Sequence, residues 1–136
     1  MKLLMFDTGE FWYRAHSSPE TVAETTETEE KITNAIVVFI QAEKVDEDRQ
    51  NAVVKKAMDH IVWLTKKNER NTILLHSFAH LSESKSDPAV AQDLIRVLEE
   101  KLRTKGYIAN STPFGHQYEF KIHVLGPSLA KVWKSI

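Results

Sequence analysis

TNAIVVFIQA, Thr33–Ala42, contains AIVVFI, the longest apolar run of the chain. A half-exposed strand alternates apolar and polar residues, and this run does not. It is β-branched and continuous, which predicts a central strand buried on both faces. Six apolar residues are far too few to span a bilayer. The stretch therefore places layers on both sides of a sheet, and its neighbours supply them.

Before it, Lys2–Phe6 reads as a short buried strand rather than a signal peptide. Asp7-Thr8-Gly9 carries turn chemistry, and Glu10–His16 (EFWYRAH) reads as a second, aromatic strand. Ser17–Glu30, with five glutamates and no Lys or Arg, reads as a solvated loop that would repel phosphate. After it, apolar residues recur at three- and four-residue steps over Glu47–Lys67, predicting a helix. Thr72–Phe78 is another strand. Asp87-Pro88 is an N-cap with proline at the first helical position, and Gly106 is a C-cap glycine. Tyr107–Thr112 and Gln117–Val124 read as strands joined by a Pro113-Phe114-Gly115 turn. Pro127 reads as opening a short last helix with Leu129, Val132, Trp133 and Ile136 on one face. The order β-β-β-α-β-α-β-β-α gives an α+β (mixed α/β) domain with three helices packed on a mixed sheet.

The 136 residues suit one domain, 1–136. A net charge of -1 supplies no global basic field for nucleic acid, so RNA contact would be local. The absence of cysteine excludes a disulfide scaffold, a thiol nucleophile and a cysteine zinc site, and fits a reducing compartment. No glycine-rich phosphate loop, GxSxG or HExxH motif occurs.

Two blocks carry chemistry. His80 stands where a buried strand gives out into a polar loop, a place where sites are built. Its i, i+4 spacing from His76 does not converge on a metal along a strand, and His76, His60 and His123 read as packed strand or helix residues. In STPFGHQYEFKI, Ser111–Ile122, four groups able to bond or transfer protons (His116, Tyr118, Glu119, Lys121) follow a turn. Phe114 could plug the core or stack on a base, and composition leaves both open.

FAHLS (Phe78–Ser82), PxVAxDL (Pro88–Leu94), PFG with FKI (Phe120–Ile122), VFIxxEKVD (Val38–Asp46) and PxLA (Pro127–Ala130) occur in family order. Together they resemble the archaeal N-terminal editing domain of threonyl-tRNA synthetase over nearly the whole chain. The resemblance implies a D-aminoacyl-tRNA deacylase-like fold, a homodimer, and a cytoplasmic domain at the N-terminal end of a longer synthetase. It also implies hydrolysis of serine misattached to the 3′ end of tRNA(Thr), with the ribose 2′-hydroxyl helping to activate water. No cofactor and no membrane partner are implied. The remaining synthetase domains would be joined in cis or act in trans.

By position, Ala42, Glu43, Ser77, Phe78, Ala79, Phe114, Gly115, His116 and Gln117 should bind the substrate, with His80 and Tyr118 catalytic. The family usually carries tyrosine, tyrosine, lysine after PFG, where this chain has His116, Gln117 and Tyr118. It usually carries glutamate after the Leu-Ala pair, where this chain has Lys131. The paired change implies that Lys131, on the last helix, delivers the missing ammonium. Glu119 and Lys121 remain strand residues. The rival readings are a D-aminoacyl-tRNA deacylase, whose Ser-Gln-x-Thr block is absent, and a module that binds the aminoacyl end without hydrolysis.

Overall fold

A computed structural model describes residues 1–16 and 29–136. The solvated-loop reading of 17–30 falls outside the described residues except for Glu29 and Glu30, which begin a strand. The elements are β1 (Lys2–His16), β2 (Glu29–Gln41), α1 (Gln50–Lys67), β3 (Thr72–Ser77), α2 (Pro88–Thr104), β4 (Ile108–Ser111), β5 (Gln117–Val124) and β6 (Lys131–Ser135). Short 3-10 turns, Lys44–Asp48 and Ser128–Ala130, precede α1 and β6. The sheet order is β4-β3-β2-β1-β5, with β6 also on β1. β2, β3 and β4 run parallel; β2, β5 and β6 pair antiparallel with β1.

The mixed α+β class is as expected, with two α-helices instead of three. From Ala35 to Gln41, β2 is buried on both faces because its alternate residues enter two different cores. Ile36, Val38 and Ile40 join Leu3, Met5, Ile73 and Leu75 under α1 and α2. Val37 and Phe39 face the other way, against Phe11, Tyr13 and Leu74. Helix boundaries follow local chemistry. Asp87 accepts a hydrogen bond from the Ala89 amide at 2.8 Å, and Gly106 ends α2 at φ +100°. α1 starts at Gln50, later than Glu47, because Lys44–Asp48 closes as a tighter turn in which the Asp46 side chain accepts from the Glu43 amide.

Three expectations are corrected. Lys2–Phe6 and Glu10–His16 are not a hairpin: Asp7-Thr8-Gly9 lies inside one 15-residue strand. β2 pairs along its whole length, so the chain has no reason to reverse there. Gly9 instead accommodates a register shift against β5. β4 and β5 are not hairpin partners either. They occupy opposite edges, and the Pro113-Phe114-Gly115 turn carries the chain across the sheet end. The sheet curls enough to bring β5 over the second core, with Phe120 5.6 Å from Phe39 and Tyr118 5.6 Å from His76 between ring centroids. Finally, Pro127 opens only a single 3-10 turn. Lys131–Ser135 alternates exposed and partly buried positions with period two and pairs with Lys2–Phe6. An otherwise bare edge of β1 outweighs the helical reading of five residues.

Candidate active site

The carboxyl ends of the parallel strands β2, β3 and β4 meet at one end of the sheet. There the FAHLS turn, the 113–116 turn and the start of α2 surround two cavities. The larger, about 580 Å³, is lined by His76, Ser77, Phe78, Ala79, His80, Phe114, Gly115, His116, Gln117 and Tyr118 among others. The smaller, about 130 Å³, is walled by Gln41, Ala42, Ser86, Ala91 and Ile95. Ser77, Ala79, Lys85 and Phe114 line both. Phe114 also borders a third hollow against α2, so its ring partitions the region.

The FAHLS turn is fastened to the end of β2. The Phe78 amide donates to the Ile40 carbonyl at 3.0 Å. The Gln41 side chain then makes four bonds. Its oxygen accepts from the Leu81 and Ser82 amides at 2.6 and 2.9 Å, and its nitrogen donates to the Ser82 and Ser84 carbonyls at 2.9 Å each. Ser82 donates its hydroxyl to Glu43 at 2.8 Å, and the Ser86 amide donates to the Ala42 carbonyl at 3.2 Å. Glu43 in turn accepts from the Met1 ammonium at 2.8 Å, with Lys2 at 3.4 Å. Burial pulls the Glu43 carboxyl up, but the bonds from the Met1 ammonium and Ser82 outweigh it and hold it below the usual range.

On the opposite wall, Gly115 takes φ +88°, a conformation that favours glycine. Tyr118 donates its hydroxyl to the Pro113 carbonyl at 2.7 Å and so fastens the turn to β5. Burial pushes its phenol up to about 12, so it is a neutral donor at physiological pH. His76 sits at the floor, 2% exposed, with Nδ1 3.1 Å from the Thr112 hydroxyl and rings of Phe11, Phe39 and Phe78 around it. Burial lowers it to about 4, so it is neutral and acts as packing, as its strand context implies. His80 lies with its ring 5.0 Å from that of Phe78.

Of the residues read from the sequence, all but Glu43 and Lys131 line one or both cavities. Glu43 acts behind the wall, through Ser82. Lys131 lies on a strand, not a helix, and donates to the carbonyls of Leu125 and Gly126 at 2.9 and 3.4 Å. It lines neither cavity. Glu119 pairs with Arg14 at 2.6 Å and Lys121 lies over the Trp12 ring, the strand roles expected of them. Sequence reasoning missed Gln41 and Lys85. Gln41 carried a signal, because an amide closing a buried apolar run must find partners. Lys85, between two serines in a polar loop, carried none. Among the described residues no cluster of three His, Asp or Glu side chains could hold a metal, and no helix is long and apolar enough to cross a membrane.

The arrangement offers pocket walls, backbone amides and hydroxyl donors, with no activated nucleophile among the residues that line it. Such a site can bind a ligand in two parts, one large and one small, and can direct water to the junction.

The chain is 35% identical over 123 residues to the threonine–tRNA ligase of Pyrococcus horikoshii, covering 90% of this chain and 20% of that protein. It is 36% identical over 123 residues to that of Thermococcus kodakarensis and 28% identical over 136 residues to that of Methanococcus aeolicus, covering 90% and 100% of this chain and 20% and 22% of those proteins. The chain thus spans about a fifth of the length of these curated relatives. A solved structure, c-Myc DNA Unwinding Element Binding Protein, superimposes with a TM-score of 0.67 at 12% identity, covering 100% of this chain and 99% of the other, a likeness of fold alone. The family model described as the archaea-specific editing domain of threonyl-tRNA synthetase matches residues 1–136, and the chain belongs to that family.

Proposed function

We propose that this domain hydrolyses L-serine misattached to the 3′ end of tRNA(Thr) and spares the threonyl ester. The observation that carries the reading is the paired cavity at the ends of β2, β3 and β4. About 580 Å³ suits a terminal adenosine, and about 130 Å³, walled by Ala42, Ala91 and Ile95, suits a small side chain. Phe114 and Phe78 offer faces for the base. Serine lacks one methyl of threonine, which a synthetic site can discriminate by only about 1–3 kcal/mol, so a second hydrolytic sieve answers a physical need.

In this reading the attacking group is water rather than a side chain of the cavity walls. The substrate's own 2′-hydroxyl, held beside the ester, helps to orient and deprotonate it, while main-chain groups of the FAHLS and 113–116 turns hold the carbonyl. His80 and Tyr118 contribute polar edges, Tyr118 as a protonated donor. No catalytic role is proposed for Lys131. The proposed partners are the 3′ end of seryl-tRNA(Thr), the other synthetase domains in cis or in trans, and a second copy of the chain, in a cytoplasmic setting. The 53% exposure of Trp133 beside β1 supports the last.

The test is to incubate the purified chain with seryl-, threonyl- and D-aminoacyl-tRNA. Selective serine release supports the proposal. D-selective release would favour a D-aminoacyl-tRNA deacylase, and tight binding without release a binding module. A substrate with a terminal 2′-deoxyribose is expected to react at least tenfold more slowly.

A further inference from the structure

We propose that the ammonium of Lys85 stabilises the negative charge that develops on the ester carbonyl oxygen, a role that rests on reading the cleft as an aminoacyl-ester hydrolase site. Three observations place it there. First, Lys85 lines both cavities, and of the four residues that do, it alone is charged. The bond to be cleaved joins the nucleoside to the amino acid, so its carbonyl belongs at that shared wall. Second, among the described residues lining either cavity, Lys85 is the only Lys or Arg. Third, its backbone is held on both sides. The Ser84 carbonyl accepts from Gln41 and the Ser84 hydroxyl from the Lys44 amide at 3.1 Å, while the Ser86 amide donates to Ala42. An ordinary solvated loop lysine has no such mooring. No ion pair occupies Lys85 among the described residues, which leaves its ammonium available to a ligand.

The chemistry balances without a co-reactant beyond water. The water oxygen forms a bond to the ester carbon, and the carbonyl π pair moves to oxygen, giving an oxyanion opposite the Lys85 ammonium. Collapse restores the carbonyl and breaks the bond to the ribose 3′-oxygen, which takes the proton lost by water. Serine and a free 3′-hydroxyl result. A lysine is a compact charge on a flexible four-carbon stem, suited to following an oxygen as it acquires charge.

Single-turnover serine release with protein in excess tests this on the unmodified chain, K85M, K85R and K131M, with binding of tRNA measured alongside. K85M is expected to lower the maximal rate by about 10²-fold, the scale of losing one oxyanion donor, with binding changed less than threefold. K85R should recover part of the rate, and K131M should keep it. Lys85 is exposed, so the variants are expected to fold, which the urea midpoint verifies. An unchanged rate for K85M overturns the assignment while leaving the hydrolase reading intact, and so does a loss confined to K131M. A loss confined to affinity and abolished by salt also overturns it, since that marks a phosphate contact. If the unmodified chain releases no serine, the hydrolase reading fails and this assignment with it.

Discussion

His76 is neutral where it sits, and that has a measurable consequence. Burial lowers its folded value to about 4, against about 6.5 when exposed. Between those values the unfolded chain binds a proton that the folded chain refuses, so stability rises with pH across the window and is lost as pH falls from about 6.5 to 4. The full loss is at most about 3 kcal/mol. His76→Phe, which keeps a ring among Phe11, Phe39 and Phe78, should abolish this part of the slope. Urea unfolding at pH 7.5 and pH 5 measures it: the unmodified chain should lose more stability between the two than the variant, and parallel losses would refute the assignment. Tyr118 gives a second case. Tyr118→Phe removes the bond to the Pro113 carbonyl and should cost about 1 kcal/mol. Because the phenol stays protonated to about 12, the variant's pH–rate profile between pH 6 and 9 should keep its shape even if the rate falls. A changed shape would mean that Tyr118 titrates in the reaction.

The elements show what local sequence could and could not reveal. β2, β3, α1 and α2 were legible because each carries its own signal: a continuous β-branched run, a 3.6-residue stripe, Asp-Pro at one end and glycine at the other. Of the candidate site residues at these strand ends, His80 could be read from the pattern, because the buried run of β3 gives out just before it; Ala42, Glu43 and Ser77 rest on the family resemblance alone. The continuity of β1 was not legible, because Asp-Thr-Gly reads as a turn until β2 is known to pair on both sides of it. Nor was β6, whose five residues become a strand only through the edge of β1. Lys85 reached the cavities through the moorings of its loop, which join residues 40 or more positions apart. Those moorings are testable as a unit. Gln41→Ala removes four bonds and strands the Leu81 and Ser82 amides, at a cost of about 2–3 kcal/mol. Gln41→Glu keeps the acceptor but faces the Ser82 and Ser84 carbonyls with oxygen, and should be at least as damaging. Hydrogen exchange at Leu81 and Ser82 should quicken in both variants before any change in the α1 core; unchanged protection would show that the loop holds itself.

At the scale of the whole molecule, one topological fact builds the site. Three parallel strands end together, and their connections must leave from that end, so the crevice is walled by the FAHLS turn, the 113–116 turn and the first turn of α2. The small compartment is therefore formed by pieces from four regions of the chain, with Ala42, Ala91 and Ile95 among its apolar walls. If that compartment receives the amino-acid side chain, its volume decides which esters are cleaved. Ala91→Leu adds three carbons to a space of about 130 Å³ and should cut kcat/KM for seryl-tRNA at least tenfold. The protein should tolerate the change, because Ala91 is only partly buried and leucine is a good helix former. Ala91→Gly does the reverse. It opens the wall by one methyl at a cost of about 1 kcal/mol in helix stability, and threonine's extra methyl gains the room. The ratio of seryl to threonyl hydrolysis should then fall, by up to the 10–200-fold that a methylene can command. Parallel initial rates on the two esters measure the ratio directly. A ratio that stays fixed in Ala91→Gly while Ala91→Leu slows both esters equally would place the discriminating contact elsewhere, in the larger compartment or in the substrate's own 2′-hydroxyl.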